Sequence, residues 1–170
     1  MNKIIKKIKG THLFAFGLIR KLYDWVLSWA EKKYSSLALF ILAVAESSFF
    51  PIPPDTLQIA LSVSKPKKSF LYALISSIGS VLGGVIGYFI GYFLFDSVGS
   101  WIINLLGYQS QFNSVGDLFK SYAFLAILAA AFTPIPYKVF TIAAGFWKVG
   151  LLPLIIASAI GRSARFFLVA

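Results

Sequence analysis

Cysteine is absent from this chain of 170 residues, and histidine occurs once, as His12. Disulfides and thiolate metal sites are therefore excluded, and a single imidazole cannot build a His-based metal cluster or a nucleophile–base pair. Acidic residues are also scarce: 6 Asp+Glu stand against 16 Lys+Arg, for a formal net charge of +10. What the chain has instead is apolar length, with 58% hydrophobic residues, 13% charged residues and a mean hydropathy of +0.80. That composition is too apolar for an ordinary soluble domain and places the chain in a membrane. The basic excess sits in runs beside apolar segments, so the expected partner is an anionic lipid surface and not nucleic acid. No cleavable signal peptide is expected, because Arg20, Lys21 and Asp24 interrupt the first apolar stretch.

Two matching stretches organise the rest: Phe49-Phe50-Pro51-Ile52-Pro53-Pro54-Asp55 and Phe132-Thr133-Pro134-Ile135-Pro136-Tyr137-Lys138. Laying Pro51 on Pro134 also lays Ile59 on Ile142, Ala60 on Ala143 and Asp55 on Lys138. Proline lacks an amide hydrogen and restricts the residue before it, so Pro51, Pro53, Pro54, Pro134 and Pro136 each work against a continuous helix. The arms on either side of the first break are short. About 15 residues before it reach roughly 22 Å and about 10 after it roughly 15 Å, against a hydrocarbon core of about 30 Å. Each arm reaches the middle of the membrane.

Charge decides how the first broken segment, 36–64, is placed. Lys32 and Lys33 precede it, and Lys65, Lys67 and Lys68 follow it. A single crossing would leave strongly basic flanks on both faces, whereas a re-entrant hairpin keeps every lysine on the cytoplasmic side. Residues 69–95 form a full span whose Gly79, Gly83, Gly87 and Gly91 recur at four-residue spacing, a stripe that lets another backbone approach closely. The same stripe is compatible with a second copy of the chain, so an oligomer stays open. Residues 96–117 carry Asp96 and Asp117 without Lys or Arg and read as an outer linker with a short surface helix. The second arm pair is then Ser121–Phe132 and Tyr137–Trp147, entering from outside, so that the two halves have inverted topology.

The expected fold is an all-α integral membrane protein with two re-entrant helical hairpins and full transmembrane helices. Residues 1–35 form a basic amphipathic interfacial helix, with Trp25 and Trp29 as anchors and the N-terminus cytoplasmic. Residues 36–170 form one membrane domain: repeat one over 36–95, the linker over 96–117 and repeat two over 118–170. The chain stops inside the apolar run Phe166–Ala170, which predicts a continuation.

Ionisable residues inside membrane segments are costly and mark function by default. Five occur here: Glu46, Asp55, Lys138, Arg162 and Arg165. If the hairpin tips meet at the midplane, Glu46 and Asp55 are proton-responsive acids facing Lys138, Arg162 and Arg165 as ligands for an anion, a phosphate head group above all. The bland reading is that Asp55–Lys138 or Glu46–Arg162 are ion pairs that only hold the tips together.

The segment Glu46–Asp55, the glycine-rich span with Gly83, Gly87-Tyr88 and Gly91, and Phe132–Lys138 followed by Ala143-Ala144-Gly145 resemble the DedA family of the VTT, or SNARE-associated Golgi protein, superfamily. The similarity runs over about 36–165 and is closest to the small YqaA-like bacterial branch. The resemblance implies a bacterial inner-membrane protein that moves a lipid between leaflets, undecaprenyl phosphate or a phospholipid, with dependence on the proton-motive force. It carries the family's acids onto Glu46 and Asp55. The family's arginine before the second proline has no counterpart at Ala131 or Thr133, which leaves Lys138, Arg162 and Arg165 to supply the charge. Two other readings stand beside this one: a secondary transporter of a small ion or solute, and a structural membrane subunit. No nucleotide loop, cofactor motif, metal cluster or nucleophile–base pair is legible, so neither an enzyme nor a cofactor is expected.

Overall fold

The computed structural model describes residues 34–49, 53–94 and 109–170, together with Ser28, Ser97, Trp101, Leu105 and Gly107. The expected N-terminal amphipathic helix, Pro51 at the first break and most of the stretch between 95 and 108 lie outside these residues. The described residues are all-helical. In chain order they form α1 (Ser35–Ser48), α2 (Asp55–Ser64), a single 3-10 turn (Pro66–Lys68), α3 (Ser69–Leu94), α4 (Gln109–Phe132), α5 (Tyr137–Phe146) and α6 (Leu151–Val169).

Prolines set the boundaries. Pro54 caps α2 and Pro136 caps α5, while Thr133, Pro134 and Ile135 form the bend between α4 and α5. α5 ends where Lys148 takes a left-handed conformation with φ of 53°, which lets the Val149 amide reach back to the Ala144 carbonyl at 2.8 Å. The turn is then pinned by Tyr88, whose hydroxyl donates to the Val149 carbonyl at 2.8 Å.

α3 is the central post, and its two faces are divided by residue size. Phe70, Leu74, Ile78, Leu82, Ile86, Ile90 and Leu94 recur every four residues, and all are exposed. A continuous apolar stripe along a whole helix suits lipid better than water. The opposite face is built of Ser76, Ser80, Gly79, Gly83, Gly87 and Gly91, all buried. Their small size lets three other helices touch α3.

The order of these contacts gives the helix directions. Gly79 lies against Phe40 and Ala43, and Gly83 against Val44 and Ser47, so α1 runs parallel to α3. Gly84 lies against Tyr137, Gly87 against Thr141 and Gly91 against the Ile142 carbonyl, so α5 is also parallel to α3, farther along it. The end of α1 and the start of α5 therefore arrive together at Gly83 and Gly84, near the middle of α3. α4 packs on α6 in the same way, with Ala131 and Leu128 against Gly161, midway along α6.

Each interrupted pair folds back on itself. Ala38, Leu39 and Leu42 at the start of α1 share one buried cluster with Leu57 and Leu61 of α2 and Tyr72 of α3. Phe112 at the start of α4 meets Phe146 at the end of α5, with ring centroids 5.4 Å apart, and Phe119 meets Trp147 at 5.2 Å. Among the described residues, three segments are long and apolar enough to cross a membrane: Pro66–Leu94, Phe112–Phe132 and Leu151–Val169.

One boundary differs from the sequence expectation. α4 begins at Gln109 and not at Ser121, so the polar stretch 109–117 is helical and not part of a linker. Serine there does not compete with the helix, because Ser114 and Ser121 each bond the carbonyl one turn back, at 3.0 and 2.8 Å. Gly116 does not break it either, since its bare Cα accommodates the Trp147 indole.

Gly145 and Gly91 mark where the α3 and α5 backbones touch: a methyl on Gly145 would strike the Tyr88 carbonyl, and one on Gly91 the Ile142 carbonyl. Gly145→Ala is therefore expected to destabilise the folded protein by roughly 1–3 kcal/mol, the usual cost of overpacking. Thermal unfolding in detergent measures this, with Gly150→Ala as the control, whose added methyl meets only the Pro153 ring at 3.3 Å. Equal midpoints for the two variants would mean that the backbones do not touch.

Candidate functional site

The two breaks converge on a cavity of about 320 Å³ lined by Glu46, Pro53, Asp55, Pro134, Ile135, Pro136, Tyr137, Lys138, Arg162 and Arg165. All five ionisable residues singled out from the sequence thus line one space. They come from four elements: Glu46 from the last turn of α1, Asp55 from the first turn of α2, Lys138 from the first turn of α5, and Arg162 and Arg165 from α6.

Arg162 is the most deeply placed, at 4% exposure. Its Nη2 donates to Glu46 Oε2 at 2.8 Å and to Ser47 Oγ at 3.3 Å, and its Nε donates to Ser80 Oγ at 2.5 Å. Ser47 and Ser80 are themselves joined at 2.6 Å, which ties α1 to α3 around the guanidinium. The Tyr137 and Phe166 rings lie 5.0 and 4.8 Å from its Cζ and hold its plane by cation–π contact. Tyr137 is fixed in turn by donating to Ser158 Oγ at 2.6 Å. Arg162 Nη1 has no acceptor among the described residues.

Arg165 makes the second strong pair. Its Nη2 lies 2.7 Å from Asp55 Oδ2 and its Nε 3.4 Å from Oδ1, the two-point geometry that suits a guanidinium and a carboxylate. Its Nη1 donates to the Thr133 carbonyl at 3.0 Å. A positive charge on α6 thus lies beside Thr133. Lys138 Nζ donates to the Glu46 carbonyl at 3.0 Å and lies 3.7 Å from Glu46 Oε1.

Of the two ion pairs expected from the sequence, Glu46–Arg162 is present. Asp55 is held by Arg165, and Lys138 sits beside Glu46, with Asp55 and Lys138 facing the same cavity. Pro53, Pro134 and Pro136 line its wall. Sequence reasoning missed the neutral partners Ser47, Ser80, Ser158 and Tyr137. For Ser80 the available signal was position: Ser76 and Ser80 stand eight and four residues before the buried Gly84, on the row beside the glycine stripe.

Among the described lining residues, two carboxylates and three cations leave one positive charge in excess. Neither α2 nor α5 has a side-chain cap, since proline stands at each N-cap, so first-turn amides at both helix starts add partial positive charge beside it. That electrostatic balance favours an anion over a cation inside the cavity.

Removing Glu46 would strand the Arg162 charge inside the bundle. Glu46→Ala is expected to cost about 3–5 kcal/mol, and Glu46→Ala combined with Arg162→Leu to cost much less, because an apolar side chain fills the space without a buried ion. A double-mutant cycle by denaturant unfolding measures the coupling. Additive losses would show that the pair is not coupled.

The VTT domain family model matches residues 50–170. The chain is 42% identical over 148 residues to the uncharacterized protein HI0703 homolog of Histophilus somni, covering 87% of this chain and 77% of that protein. It is 38% identical over 152 residues to an uncharacterized protein of Haemophilus influenzae, covering 88% of this chain and 77% of that protein. No solved structure matches it significantly. With more than half of its length inside the family model and, among the described residues, three helices apolar and long enough to cross a bilayer, the chain is an integral membrane protein and belongs to the VTT domain family.

Proposed function

We propose that this protein is a lipid transporter of the DedA type, which takes the anionic head group of a membrane lipid into the cavity between its two proline breaks and passes it between leaflets. The observation that carries this reading is the positive excess of a cavity at the tips of two fold-back helix pairs. A phosphate ester is the head group that best matches two flexible or forked cationic donors near helix N-termini. Undecaprenyl phosphate or a phospholipid has that chemistry.

The membrane arrangement belongs to the same proposal. α1 and α2, with 14 and 10 residues, reach roughly 21 and 15 Å, too short to cross a core of about 30 Å. α4 is longer, but its first turns, Gln109–Asp117, are rich in exposed polar residues, and its far end stops beside Gly161 at the middle of α6. We take both pairs as re-entrant hairpins entering from opposite faces, the two halves of an inverted repeat. Irregular backbone at membrane depth is tolerated where protein buries it or water fills the cavity it lines, which suits both breaks. Lys65, Lys67 and Lys68 favour the cytoplasmic side of the inner membrane for the start of α3 in this reading, with the N-terminus on the same side.

Glu46 and Asp55 are the proton-responsive groups in this reading. Protonating either one removes the charge that holds Arg162, Lys138 or Arg165 and frees those cations for the lipid phosphate. A proton gradient can thereby drive the cycle.

Reconstituted vesicles test the proposal through leaflet exchange of a labelled polyprenyl phosphate and of a labelled phospholipid. Lys138→Ala and Asp55→Asn are each expected to slow exchange by about tenfold or more, the value of one charged contact, while the proteins stay folded. Asp55→Asn is also expected to abolish acceleration by an imposed proton gradient. Uptake of a small solute without lipid exchange would favour the solute-transporter reading. Unchanged exchange in both variants would remove the cavity from the mechanism.

A further inference from the structure

The charged cavity is not closed on all sides. A groove of about 330 Å³ adjoins it, and the two share Asp55, Pro134 and Arg165 in their walls. Beyond those three residues the groove is lined only by Ile59, Phe132, Leu168 and Val169. Polar space thus gives way to hydrocarbon space across a single ion pair. Ile59, Phe132 and Leu168 are exposed, so the groove opens onto the apolar surface of the bundle, among α2, the end of α4 and α6.

We propose that this groove is the chain subsite of the same ligand: the hydrocarbon tail lies along Ile59, Phe132 and Leu168 while the anionic head sits with Arg162 and Lys138, and the Asp55–Arg165 pair is the threshold that the head must cross. The inference rests on the anion-site reading above and adds the direction of access and the amphiphilic character of the ligand. Charge complementarity argues for an anionic amphiphile over a neutral one. A carboxylate–guanidinium pair at a lipid-facing threshold can exchange its carboxylate for a phosphate with little electrostatic loss, and a neutral head offers no such exchange.

A second groove provides the contrast. It is lined by Phe40, Ile41, Val44, Ala45, Phe49 and neighbours, carries no charged residue and shares no wall with the charged cavity. It has the features of ordinary contact with bulk lipid. The two grooves therefore differ in continuity with charge and not in oiliness, and that difference can be measured.

Because the chain has no cysteine, single reporters can be installed without background. The full chain carrying Ile59→Cys, or Leu168→Cys should the first fold poorly, is labelled with a bimane fluorophore in nanodiscs and quenched by dodecyl phosphate bearing a nitroxide at its chain end. Ile41→Cys reports the second groove. Unlabelled dodecyl phosphate is expected to relieve quenching at position 59 at a concentration about tenfold or more below that needed by dodecanol or by inorganic phosphate, and to show no such preference at position 41. Equal potency of inorganic phosphate would leave the head-group site standing and overturn the chain subsite. Equal potency of dodecanol would reduce the groove to bulk-lipid contact and overturn it as well. If radiolabelled phosphate and dodecyl phosphate both fail to bind the unmodified protein, the anion-site reading itself falls, and this inference with it.

Discussion

A guanidinium charge in the middle of an apolar helix bundle is the constraint from which the rest follows. Removing an ion from water costs several kcal/mol even after relaxation, so Arg162 at 4% exposure requires a carboxylate, hydrogen-bond acceptors and polarisable faces at short range. It has them in Glu46, in Ser47 and Ser80, and in the Tyr137 and Phe166 rings. These partners come from α1, α3, α5 and α6. One buried charge therefore fixes four helices relative to one another, and it does so at the depth where α1 ends and α5 begins.

Proline makes that convergence possible. A continuous helix through 35–64 would leave Glu46 where it is but carry Asp55 onward, past the middle of α3 and away from Arg165. The break at Pro53 and Pro54 turns the chain back, so Asp55 starts α2 at the level of Arg165 while Glu46 ends α1 at the level of Arg162. The second break does the same for Lys138. Small residues on α3 complete the design, because the backbone approaches at Gly83, Gly87 and Gly91 bring the tips close enough for side chains of ordinary length to meet. The excess positive charge and the adjoining apolar groove are then properties of one junction.

Much of this was legible in the sequence, for definite reasons. Proline interrupts helices whatever its surroundings, so both breaks and the elements α1, α2, α3, α5 and α6 could be placed within a few residues. Charges in apolar segments stand out, so the five ionisable residues could be named, and the structure brings all five to one cavity. Pairing was harder. Laying one proline stretch on the other puts Asp55 on Lys138, but matched positions need not be neighbours; the carboxylate of Asp55 goes to Arg165, which that match does not relate to it. Ser47 and Ser158 were invisible because a hydroxyl has no pattern until its partner is known, and Ser80 was marked only by its place beside the glycine stripe. The start of α4 was misplaced because polarity at 109–117 reads as a linker, whereas the stretch is helical, with Ser114 bonded one turn back and Trp147 seated against Gly116.

The fold-back of α1 and α2 inside the membrane is the claim on which the cavity and its role both depend. Its most direct measurement is the sidedness of single cysteines at Tyr34, Val63 and Leu105, all exposed, probed with a membrane-impermeant maleimide in vesicles of known orientation. Tyr34→Cys and Val63→Cys are expected to react from the same side and Leu105→Cys from the other. Reaction of positions 34 and 63 from opposite sides would mean that the first broken segment crosses the bilayer, which contradicts the arrangement proposed for both breaks.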